Sequence, residues 1–260
     1  MSKKAIITGG ARRLGKAMAL ELASKGTDII IHYNKANEDA EETRDLARSK
    51  GVKAEILQAD LLETTDTIEL VAKAKKIMGG AFDLLINNAS IFEYDNLNTV
   101  NIESWDRHIN SNLRSAVFLT QKFAQQAPTT ENNKDKIPYS NSNIINMIDQ
   151  RVRKITPEFM SYTTAKMGLW AFTQSSAQFL APHIRVNAIG PGPTLQGTRQ
   201  SKENFEQQRR STLLMRGADE IDITNAMNFI LNAYSLTGQL ICIDSGQHLA
   251  WQTPDVLGIE

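Results

Sequence analysis

Apolar positions along this chain of 260 residues follow two alternating rhythms. Short β-branched runs, AIIT (5–8), DIIIH (28–32), KAEILQ (53–58), LLIN (84–87), NIINM (143–147), IRVNAI (184–189) and LICID (240–244), read as strands. Longer amphipathic stretches lie between them. Helices are predicted over 14–26 and 37–51, closed by Gly26 and Gly51, and over 66–78, 101–126, 161–181 and 219–233. Such alternation predicts repeated βα units and one open parallel sheet of seven strands, in a single domain spanning 1–260. Two stretches break the rhythm. The polar stretch 128–141 reads as a surface loop. The stretch 191–214 starts where the sixth strand ends, and reads either as a segment covering a substrate or as a solvated helix face.

Composition adds mainly exclusions. Hydrophobic residues make up 41% and charged residues 22%, as in a folded globular chain. Lys plus Arg equals Asp plus Glu at 29 each, so no overall field recommends nucleic acid or a membrane surface as partner. The single cysteine, Cys242, sits in an apolar run and reads as a small buried hydrophobe, without a disulfide. Nothing approaches the ~18 apolar residues of a membrane span, and no secretory h-region precedes the first strand, which predicts a cytoplasmic protein. His32, His108, His183 and His248 show no ligand spacing, so no metal is expected.

Chemistry enters directly after the first strand, at TGGARRLGKAMAL. A glycine-rich turn feeding a helix offers free backbone N–H groups and a positive dipole end to a pyrophosphate. The second strand ends in IHYNKAN with no acidic residue before Glu38. Arg12, Arg13, His32 and Lys35 instead provide donors for a 2′-phosphate, which favours NADPH over NADH. Further on, Tyr162 and Lys166 lie one helical turn apart, an arrangement in which the ammonium lowers the phenol's pKa for acid–base work.

Taken in order, TGGARRLG, ADL (59–61), NNAS (87–90), Asn112, YTTAK (162–166) and IRVNAIGPG (184–192) resemble the short-chain dehydrogenase/reductase family over nearly the whole chain. The resemblance implies a Rossmann-type doubly wound sheet with helices on both faces, and an NADP(H) site. That site would draw on Gly9, Arg12, Arg13, Leu14 and Gly15 of the loop and on His32, Tyr33 and Asn34 at the second strand's end. Asp60, Leu61, Asn88, Ala89 and Ser90 would follow, then Tyr162 and Lys166, and finally Pro191, Gly192 and Thr194 beyond the sixth strand. It also implies a homotetramer built through 101–126 and 161–181; separately, the tail 248–260 ends in apolar residues beyond the last strand, which predicts docking on a neighbouring subunit.

Three departures from the family's usual motifs agree with one another. Arg13 replaces a loop glycine, Ser90 ends NNAS in place of NNAG, and Asp149 stands thirteen positions before Tyr162 where a serine is usual. Together they resemble pteridine reductases and bacterial dihydromonapterin reductases. That likeness implies a dihydropterin substrate contacted by Arg13, Ser90, Phe92, Asp149 and Tyr162, and a catalytic set of Asp149, Tyr162 and Lys166 with Asn112. A pterin is flat, and Phe92 offers it a stacking face, although a buried core Phe is the alternative. Its reduced bond is an imine, C6=N5, so a proton goes to nitrogen and no alkoxide develops. Two other functions stay open: reduction of a carbonyl such as a 3-oxoacyl thioester, and a non-catalytic NADP(H)-binding regulator.

Overall fold

In the computed structural model, which describes residues 3–132, 136–197 and 200–252, seven parallel strands form one sheet. They are β1 (Lys4–Ile7), β2 (Asp28–Tyr33), β3 (Ala54–Gln58), β4 (Leu84–Asn87), β5 (Ser142–Met147), β6 (Ile184–Pro191) and β7 (Leu240–Ile243). Their spatial order is β3-β2-β1-β4-β5-β6-β7, so the winding reverses between β1 and β4. At such a switch point the connections leave in opposite directions, and a crevice opens beyond the strands' carboxyl ends.

The strands read as continuous apolar runs because both sheet faces are covered. Neighbours along β1 show this: Ile7 belongs to one apolar layer with Ile29, Ile31 and Ile86, while Ile6 belongs to the opposite layer with Ile30, Leu85 and Ile144. On the first face pack α1 (Arg13–Ser24), α2 (Asn37–Arg48) and α8 (Glu220–Asn232), through Met18, Ala47 and Met227 among others. On the second pack α3 (Thr64–Met78), α5 (Ser115–Ala124) and α6 (Met160–Leu180), through Leu70, Phe123 and Ala177.

Three sequence expectations are corrected. The helix predicted over 101–126 is interrupted: α4 (Ile102–Ile109) and α5 are joined by a π-helical turn at Asn110–Arg114, where the Ser115 N–H donates to the Asn110 carbonyl. Within 128–141, Glu131–Asn132 pairs antiparallel with Pro138–Tyr139 as two short strands. Cys242 is half-buried rather than buried, and its thiol is pushed up to about 11, chiefly by burial. The stretch 191–214 holds α7 (Lys202–Arg210). Most of the tail expected to dock on a neighbour, 253–260, lies outside the described residues. No helix among the described residues is long and apolar enough to cross a membrane, and no group of three or more His, Cys, Asp or Glu side chains converges there as a metal site.

Candidate active site

The crevice at the switch point begins with the glycine loop, which is fixed from outside by side chains. Asn88 donates from Nδ2 to the carbonyls of Thr8 (2.9 Å) and Gly9 (3.1 Å), and the Thr8 hydroxyl accepts from the Asn88 and Ala89 N–H groups at 2.9 and 3.0 Å. Helix α1 then starts in close contact with this loop: a Cβ on Gly15 would lie 2.1 Å from the Gly9 carbonyl oxygen. No side chain caps α1, so its first-turn N–H groups remain available at the crevice. This donor set, with a backbone approach that only glycine permits, fits a dinucleotide's phosphates.

The cations around the loop behave differently from one another. His32 is buried; its Nδ1 accepts the Gly9 N–H at 3.1 Å, so Nε2 carries the proton and donates to the Ala59 carbonyl at 3.1 Å. Burial pushes its pKa down to about 4, so the imidazole is neutral and braces the loop, correcting the expectation of a charged phosphate donor. Arg12 pairs with Asp39 at the surface. Arg13 adopts φ 53°, the left-handed backbone of the glycine it replaces, and its guanidinium donates to the carbonyls of Gln196 (2.7 Å) and Leu195 (3.1 Å). That contact ties the loop to the 191–214 stretch. Ser245 likewise has φ 53°, a backbone conformation that favours glycine.

At the other end of the crevice, α6 delivers Tyr162 and Lys166 to the end of β5. The Tyr162 hydroxyl donates to Asp149 Oδ2 at 2.9 Å, and Asp149 Oδ1 accepts the Arg151 backbone N–H at 2.8 Å. Lys166, 2% exposed, donates from Nζ to the Met147 carbonyl at 2.7 Å. Burial dominates the protonation of all three. It raises Asp149 above the usual carboxylate range, and with the Asp149 charge it holds Tyr162 well above the ordinary phenol value of 10. Lys166 is pushed down to about 8 by burial, opposed by Asp149. The phenol is therefore not depressed here: burial is the largest influence on it, the carboxylate is its hydrogen-bond partner, and the ammonium is bound to a carbonyl.

Phe92 is 51% exposed, which removes the core alternative. Its ring stacks on Phe159 (centroids 4.4 Å apart, 7° between planes) and meets Tyr162 edge-on at 4.7 Å. A buried polar network fixes this wall relative to α6. His108 Nε2 accepts the Glu93 N–H at 3.1 Å, Nδ1 faces the Ser161 hydroxyl at 2.7 Å, and Ser161 in turn donates to Asp95. Asp95 also accepts the Ser161 N–H at 3.2 Å, at the start of α6.

All the site residues named from the sequence except Asn112 line one cleft of about 990 Å³. Asn112 lies behind the wall: Oδ1 accepts the Ile91 N–H and Nδ2 donates to the Ile91 carbonyl, both at 2.8 Å. It clamps the backbone next to Phe92 from within the π turn Asn110–Arg114, and it is not among the residues that line the cleft. The sequence reading missed Gln150, Arg151, Arg107 and Gln208, which also line the cleft. Arg151 was within reach, since it follows Asp149 by two residues; Phe159 carried no local signal at all.

Residues 3–209 match the family model described as short chain dehydrogenase. The chain belongs to that family. Among solved structures it is similar to FolM alternative dihydrofolate reductase 1 from Brucella canis, complexed with NADP: 39% identity, TM-score 0.90, covering 98% of this chain and 97% of that one. Among curated proteins it is 29% identical over 256 residues to 3-oxoacyl-[acyl-carrier-protein] reductase FabG of Staphylococcus aureus, covering 96% of this chain and 99% of the relative. It is 30% identical over 216 residues to L-rhamnose 1-dehydrogenase (NADP(+)) of Thermoplasma acidophilum, covering 82% of this chain and 80% of that protein.

Proposed function

We propose that this family member is an NADPH-dependent reductase of a dihydropterin, giving the tetrahydropterin by hydride transfer to C6 and protonation at N5. The observation that carries the reading is the Tyr162 hydroxyl donating to a buried carboxylate, Asp149, beside the exposed ring of Phe92. The likeness to the dihydrofolate reductase from Brucella supports it, as does NADP in that complex.

Bound NADPH supplies the hydride. The chain's own groups place the pterin and handle one proton. Phe92 presents an aromatic surface for a flat ring, and Ser90 and Arg13 line the approach to it. Tyr162 gives its proton to N5, and Asp149, whose burial favours the protonated form, returns a proton to the phenol oxygen through the same hydrogen bond. Because the two groups share a hydrogen bond and a buried environment, they titrate as a pair. Lys166 keeps a positive charge next to that pair below about pH 8.

Reduction of a ketone, such as a 3-oxoacyl thioester, is the second reading, favoured by similarity to the Staphylococcus aureus reductase over nearly the whole chain. The residue beside the phenol disfavours it: where a serine is usual in the family, this chain carries Asp149, which accepts the Tyr162 hydroxyl at 2.9 Å. Cytoplasmic residence and assembly as a homotetramer belong to the same proposal. NADPH oxidation measured in parallel with 7,8-dihydropterins, 3-oxoacyl thioesters and no added substrate tests the reading. Dihydropterin turnover is expected; turnover of the thioesters with no dihydropterin activity overturns it. Tight NADPH binding without any turnover would instead point to a regulator.

A further inference from the structure

The two ends of the cleft differ in how their cations are neutralised. At the glycine-loop end Arg12 is paired with Asp39, and Arg13 and Lys35 stand where a dinucleotide's phosphates would provide the opposite charge. At the reaction end, Arg107 lines the cleft but is paired with Glu93 at 3.1 Å, and Lys166 is buried against the Met147 carbonyl. Arg151 remains. Among the described residues no carboxylate forms an ion pair with it, and its guanidinium donates one hydrogen bond, from Nη1 to the Thr156 hydroxyl at 3.0 Å. Asp149 accepts a hydrogen bond from the Arg151 backbone N–H, and the guanidinium acts on it only through its charge. A guanidinium carries five N–H donors, so most of its capacity is unused.

Its position is nevertheless defined. The guanidinium carbon lies 4.7 Å from the Phe159 ring centroid, and Phe159 stacks on Phe92. Phe159 itself is held by its backbone, φ 56° and ψ 47°, with its N–H donating to the Asp95 carbonyl at 2.7 Å. An aromatic wall thus leads from the ring that faces the proton-transfer pair to a fixed cation on the cleft lining. Stacking on an aromatic ring pre-orients the planar fork, which lowers the entropy lost when it grips a planar anion.

We propose that Arg151 is a specificity-determining residue that binds a carboxylate carried on the side chain at pterin C6, and so favours dihydropterins with an acidic aryl tail over those with a neutral polyol tail. This rests on the dihydropterin reading. The chain as a whole has no net charge, so general attraction of anions does not account for such a preference. A fixed charge-assisted pair does, and its loss costs about tenfold in binding.

The test compares the wild-type enzyme, R151Q and R151K with 7,8-dihydrofolate and 7,8-dihydrobiopterin. The quantity read is the ratio of kcat/KM for the first substrate to that for the second. In R151Q the ratio is expected to fall about tenfold, mostly through KM for dihydrofolate, and R151K, which keeps the charge but not the stacked fork, is expected to lie between R151Q and wild type. An unchanged ratio in R151Q overturns the inference, including the case in which kcat/KM falls equally for both substrates, which would assign the effect to packing on Phe159. Turnover of neither substrate by the wild-type enzyme overturns the dihydropterin reading itself, and this inference with it.

Discussion

At the glycine-loop end the cleft is made of backbone: first-turn N–H groups of α1, a Gly15 too close to Gly9 for any side chain, and a neutral His32 bracing the turn from behind. At the Asp149 end it is made of buried side chains, whose protonation has been moved away from ordinary values by burial. The first end selects by shape and dipole, and adding one methyl group damages it. The second selects by proton position, and a change of one atom alters the chemistry while leaving the shape nearly intact.

Tyr162→Phe separates the two ends most sharply. Removing one hydroxyl is expected to lower kcat about a thousandfold, within the usual range for loss of a positioned proton donor, while NADPH affinity measured by fluorescence stays largely intact. Loss of NADPH binding would show that the two ends are one structural unit. Gly15→Ala should do the opposite. With a Cβ 2.1 Å from the Gly9 oxygen, the loop must shift, and NADPH affinity is expected to weaken about tenfold or more. At saturating NADPH the pH profile of kcat should be retained, and a displaced profile would break the comparison.

Smaller effects come from pH alone. Lys166 has its pKa near 8, so kcat is expected to decline as pH rises through that value and the ammonium loses its charge. A kcat that stays flat through that range would remove Lys166 from the proton-transfer site. His32 acts on stability at the loop end. Its folded pKa of about 4 lies below the ordinary 6.5, so the neutral form is the one the fold favours. Its contribution is therefore fully present above about 6.5 and is lost as pH falls toward 4, which thermal unfolding across that window measures. His32→Gln, which can keep one donor and one acceptor, should flatten that acid limb; an unchanged limb would place the titrating group elsewhere.

Much of this architecture was readable because the relevant signals are local. A strand buried on both faces, such as β1, is written as an uninterrupted apolar run, and a glycine that must approach another chain segment is written as a glycine. Tyr162, Lys166 and Asp149 were found by spacing along the chain, and all three line the cleft. What escaped the reading depends on tertiary partners. His32 looks like a cation until Gly9 and Ala59 fix its tautomer, and Asn112 looks like a site residue until its amide is seen to grip Ile91. Phe159 is three residues from Tyr162, yet only its left-handed backbone and its stacking on Phe92 bring it into the wall.

The π turn at Asn110–Arg114 makes this arrangement a matter of counting as well as of chemistry. One residue more than a regular turn holds rotates the two helical segments out of step by about 100°. Before the turn, the rod can send His108 to the Glu93 backbone; after it, Leu119 and Phe123 reach the layer beneath the sheet. A single rod thereby addresses two different places in the molecule. Its hydrophobic period read straight through from 101 to 126 has no one correct phase, and the phase slips at the residue whose amide holds the wall.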